Sequence, residues 1–62
     1  MNTQEIISNQ AQIIELLERK FRIASGVEKV ENKGLELLSI LAQISSLKQV
    51  IKSGLRNLTN PD

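Results

Sequence analysis

From Leu37 to Leu58 the chain places an apolar residue or a glycine at every third or fourth position: Leu37, Ile40, Ile44, Leu47, Ile51, Gly54 and Leu58. That alternation is the spacing of a helix packed along a seam. It excludes a strand, whose side chains alternate with a period of two. Leu41, Val50 and Leu55 widen the stripe to about half the circumference. Ser39, Ser46, Ser53 and Asn57 face away from it. A helix is therefore expected over residues 35–58, stopping before Thr59-Asn60-Pro61-Asp62, where the single proline stands.

The first half also reads as helix. Asn2 followed by Glu5 fits an N-cap with an acidic partner in the first turn, so the helix starts at Thr3. Thr3, Ile6, Ile7, Ala11, Ile13, Ile14, Leu17, Phe21 and Ala24 fall on one face. Leu16, Ile23, Val27 and Val30 form a second stripe behind it. Two stripes call for two partners, or for a break before the second begins. Ser25-Gly26 offers such a break, with a short new helix starting there. The second stripe nevertheless stays in helical phase through Gly26, which favours a helix over residues 3–31. Asn32-Lys33-Gly34 would then make the turn, with Gly34 supplying a positive φ.

Two helices joined by so short a turn lie antiparallel. Helix 1 is expected to contribute Ile7, Ile14, Leu17 and Phe21 to the packing seam. Helix 2 would contribute Ile40, Ile44, Leu47 and Ile51. A chain of 62 residues with this fold is small enough to need a staple. It has no Cys and no His, which excludes disulfides and any zinc or haem site built on those ligands. Self-association remains. The apolar stripes exceed what one hairpin can cover, and such excess marks an interface. The expectation is an all-α antiparallel hairpin, residues 1–62 forming one unit, that assembles into a homo-oligomer. The simplest form is a dimeric four-helix bundle.

The same composition narrows the chemistry. Without Cys or His there is no activated thiol and no imidazole to serve a serine. Gly26 and Gly34 are isolated, so no phosphate-cradling loop is present. Glu15 and Glu18 are helical neighbours, best read as i,i+4 partners of Arg19 and Arg22 rather than as an acid–base pair. No enzymatic activity, cofactor or metal is expected.

Charge says little about partners. The net charge is +1, with five acidic and four basic residues in 1–31 and two acidic and four basic in 32–62. Neither nucleic acid nor membrane is an expected partner, because no Trp or Tyr is available for base stacking and no apolar run approaches a spanning length. Arg19-Lys20-Phe21-Arg22 is a basic cluster only in one dimension; on a helix its side chains point in different directions. The N-terminus does not read as a secretory signal, and the expected location is the cytoplasm.

Two polar features carry a functional reading beside a structural one. Lys48 falls inside the apolar arc of helix 2. It either lays its stem along the core edge or pairs with Glu18 across the hairpin to fix register. Lys48, Lys52 and Arg56 recur every four residues. The strip complements the dipole at the helix C-terminus, or it binds a small phosphorylated, nucleotide-like ligand in a pocket between subunits. The expected role is thus a protein-interaction module whose partner is itself or another protein's helix. An adaptor, an assembly chaperone and a viral or mobile-element accessory protein all fit. Sequestration of an anionic ligand is the alternative.

Overall fold

A computed structural model describes residues 2–59 of the chain. It contains two α-helices, α1 (Thr3–Ala24) and α2 (Lys33–Thr59), which pack against each other as a hairpin; the described residues form no strand. α2 ends within a residue of the expected Leu58, and Asn60-Pro61-Asp62 lie outside the described residues.

The start of α1 follows from its cap. Asn2 has extended backbone, φ −96° and ψ 171°, and its side-chain oxygen accepts the Glu5 N–H at 2.9 Å. One of the four unpaired donors of the first turn is thereby satisfied.

The end of α1 corrects the sequence reading. The helix stops at Ala24, not near Glu31, and it is Gly26, not Gly34, that takes a positive φ, of 86°. The Gly26 N–H donates to the Ile23 carbonyl at 3.2 Å, and the Glu28 N–H reaches back to the Arg22 carbonyl at 2.9 Å. These bonds occupy carbonyls that the helix would otherwise leave open, the usual consequence of a left-handed glycine after a helix end. Residues 27–32 do not begin a new helix. Val27 is exposed, whereas Val30 packs on the core from this irregular segment. Its place in the second stripe reflects return of the chain, not continuation of the helix.

Asn32 caps α2. Its side-chain oxygen accepts the Leu35 N–H at 3.1 Å, and its carbonyl accepts the Glu36 N–H at 3.0 Å. Gly34 therefore lies in the first turn of α2 rather than in a left-handed turn. The two glycines should respond oppositely to alanine. Gly26→Ala places a Cβ in the left-handed region and should cost about 1–2 kcal/mol. At Gly34 an added Cβ meets nothing nearer than the Asn32 side-chain oxygen at 3.7 Å. Gly34→Ala should thus gain up to about 1 kcal/mol from reduced backbone freedom in the unfolded chain. Urea denaturation of the two variants measures both; equal effects would contradict the assigned turn.

Ile23 and Ile40 are fully enclosed, at 1% and 0% exposure, and form the core with Ile44. Ile13, Leu16, Val30 and Leu37 pack around them. Ile6, Ile51 and Gly54 are also buried, and Leu47 is half-buried. On α2 the residues facing α1 are those of the 3–4 spacing. On α1 they are not the expected set: Ile7, Ile14, Leu17 and Phe21 are exposed, and the neighbouring row Ile6, Ile13, Leu16 and Ile23 faces α2 instead. Moving from Ile7 and Ile14 to Ile6 and Ile13 is a step of one residue, about 100° of helix rotation.

Candidate functional site

A two-helix layer has two open sides, and here they differ. On one side α1 presents Gln12, Glu15, Arg19 and Arg22 to Ser39, Gln43 and Ser46 of α2, making a polar groove floored by Leu16, Ala42 and Leu47. Val50 lies one heptad beyond Gln43 and so belongs to this flank.

The other side carries larger exposed apolar side chains, alongside Lys48 and Lys52. Helical rotation places Leu17, Phe21 and Ile14 on the flank of α1 opposite Arg19 and Glu15, with Ile7 further toward the outer edge. Ile14, Leu17 and Phe21 keep 58%, 47% and 71% of their surface exposed. On α2 the corresponding flank carries Leu41, Lys48 and Leu55, which share a groove with the sides of Ile44 and Ile51. Each helix thus carries a further row with 3–4 spacing, a second seam independent of the first on α1 and sharing Ile44, Ile51 and Leu58 with it on α2. On α1 it runs Ile7, Gln10, Ile14, Leu17, Phe21, Ala24. On α2 it runs Leu41, Ile44, Lys48, Ile51, Leu55, Leu58. Helices of a four-helix bundle have this property, because each touches two neighbours.

The connection is held by charge. Glu28 folds back under the last turns of α1 and accepts from Arg19 Nε at 2.8 Å and Arg22 Nε at 3.1 Å. Arg19 also reaches Glu36 of α2 at 3.4 Å, so one guanidinium ties together α1, the connection and α2. The Arg19 hydrogen bond, followed by that of Arg22, holds the Glu28 carboxyl below the ordinary carboxylate range, against a smaller opposing effect of desolvation. The hydrogen bond with Glu28 likewise raises the Arg19 pKa above its ordinary value.

The linkage has a definite sign. Folded Glu28 binds its proton less readily than unfolded Glu28, so its contribution is complete above the unfolded pKa of about 4.3. It is lost as pH falls through the lower folded value. Arg19 contributes below its unfolded pKa and would lose that contribution only in strong alkali, as pH rises through its raised folded value. Glu28→Gln should therefore flatten the acid limb of the stability–pH curve while lowering stability at neutral pH. Denaturant unfolding from pH 2 to pH 7 measures this; parallel curves for the two proteins would show that the contact does not stabilise the fold.

Other sequence-predicted contacts fall differently. Glu18 and Lys48 do not pair with each other, since Glu18 stands beside Ile14, Leu17, Phe21 and Arg22 while Lys48 lies in the α2 groove. The reason is the shortened α1 and its rotated seam, which point Glu18 away from α2. Arg19 and Arg22 turn to Glu28 rather than to Glu15 and Glu18. Of the expected basic strip, Lys48 and Lys52 line the same groove as Leu41 and Leu55, and Arg56 is exposed one turn further on. The Arg19–Glu28–Glu36 network was not anticipated. Its trace in the sequence is a pair of acids, Glu28 and Glu36, either side of the bend, of which a continuous α1 would have placed Glu28 elsewhere.

Among the described residues, no group of three metal-ligating side chains comes together, and no helix is long and apolar enough to cross a membrane. The chain matches no protein-family model, no curated protein and no solved structure.

Proposed function

We propose that the protein is a non-enzymatic interaction module that works as a homodimer, two hairpins stacking their apolar sides into a four-helix bundle. The carrying observation is the second apolar row on each helix, with Ile14, Leu17 and Phe21 left 47–71% exposed. The dimensions are adequate. A side 47 Å long and 16 Å wide offers a footprint of roughly 750 Å², close to the ~800 Å² that each partner buries in a stable complex. Stacking leaves the polar grooves outward on both faces of the dimer, available to a partner protein, as an adaptor or assembly chaperone requires. Sedimentation equilibrium tests the reading: the expected mass is twice the 6.9 kDa of the chain. A folded monomer at high concentration would refute it.

Lys48 and Lys52 in one groove with Ser45 and Gln49 favour a second reading, an inter-subunit site for a small phosphorylated ligand. Calorimetry with a nucleotide panel at low salt tests it, and absence of heat removes it.

A further inference from the structure

The apolar side of the hairpin is not uniformly apolar, and its charges are arranged by helix. On α1, Glu18 follows Leu17 and shares a cleft with Ile14, Phe21 and Arg22, whose guanidinium is engaged by Glu28. In the heptad numbering of the second seam it occupies the position flanking the apolar row, where interhelical ion pairs set partner and orientation. On α2, Lys48 interrupts the apolar row and Lys52 occupies the equivalent flanking position. Among the described residues, neither lysine forms an ion pair, and neither does Glu18. An anionic edge on one helix and a cationic one on the other cannot satisfy each other across a single hairpin whose seam turns Glu18 outward. They match when α1 of one copy lies antiparallel on α2 of another.

Resting on the dimer proposed above, we infer that Glu18 of each copy lies between Lys48 and Lys52 of the other and that this contact, made twice about the two-fold axis, fixes which helix packs on which. Helical side chains lean toward the N-terminus of their own helix. In an antiparallel pair with Glu18 level between them, the carboxylate and the Lys52 ammonium therefore lean toward one another, and Lys48 reaches Glu18 through its longer side chain. Lys48, at a seam position, lays its stem in the groove it shares with Leu41 and Leu55 before its charge reaches the rim. The two-fold symmetry repeats the contact, since what α1 gives to the partner's α2 it receives in return.

The symmetry also supplies the test. Glu18→Lys sets cation against cation in its own homodimer. The double variant Lys48→Glu, Lys52→Glu sets anion against anion in its own. Each should dimerise about tenfold or more weakly than wild type at low salt. Mixed in equal amounts, the two should form a heterodimer of near wild-type affinity, because every repelled pair becomes an attracting one. Raising the salt should erode the difference. Circular dichroism of each variant shows whether its helices persist, and a mixture that regains the dimer mass shows it independently. A wild-type chain that is itself monomeric overturns the dimer and this contact together. A dimeric wild type whose variants dimerise unchanged, or fail to complement on mixing, overturns the contact alone.

Discussion

Ile44→Asp should unfold the hairpin. Ile44 is 8% exposed and belongs to the cluster with Ile23 and Ile40, whose surroundings are aliphatic. Truncating a buried isoleucine costs about 2–5 kcal/mol. An aspartate adds the cost of burying a carboxyl group without a partner, whether it ionises or holds its proton. The total stability expected of a chain this long is only about 3–9 kcal/mol, so the substitution removes most or all of it. Because Ile44 also borders the α2 groove beside Lys48, association should fail with the fold. Far-UV circular dichroism should show loss of helix, and sedimentation should show a monomer. Ile44→Val is the control and should remain folded, at a cost of about 0.5–1.5 kcal/mol. Retained helicity and mass in the aspartate variant would mean that Ile44 is not a core residue.

Leu17→Asp separates association from folding. Leu17 sits in the second seam of α1 and keeps 47% of its surface exposed, so an aspartate there is well solvated in a lone hairpin. In the proposed dimer it is central and dry. Loss of a central apolar anchor costs about 2 kcal/mol or more, a rise in dissociation constant of about 30-fold or greater. The second consequence concerns stability. Two-helix hairpins of this size are marginal alone, and a dimer is stabilised by mass action. The wild-type unfolding midpoint should therefore rise with protein concentration, and that of Leu17→Asp should be lower and nearly independent of it. Thermal unfolding over a hundredfold concentration range makes the measurement. An unchanged, concentration-dependent midpoint in the variant would place the interface elsewhere.

The contrast between these two isoleucine- and leucine-bearing rows shows where sequence periodicity is informative. On α2 the 3–4 spacing identifies Ile40, Ile44 and Ile51 as inward, and they are buried. A single stripe broadened to either side, by Leu41 and Leu55 on one flank and Val50 on the other, keeps one centre. On α1 the apolar arc is wider, and its centre of mass lies nearer Ile14 and Leu17 than Leu16 and Ile23. Periodicity alone assigns the hairpin seam to the richer row. The choice belongs to the connection: Gly26 ends α1, the Glu28 carboxylate draws the chain back beneath Arg19 and Arg22, and Val30 arrives on the side of Ile23.

The linear order of residues was enough to establish an all-helical pair, the cap at Asn2, the inward row of α2 and the surplus of apolar surface, because each depends on contacts within a turn or two of one helix. Where α1 stops, which of its two rows meets α2, and which arginines and glutamates join across the bend were decided only in three dimensions. Those outcomes depend on a left-handed glycine and on charges brought together from both helices and the bend, and local spacing carries no record of which competing arrangement has the lower free energy.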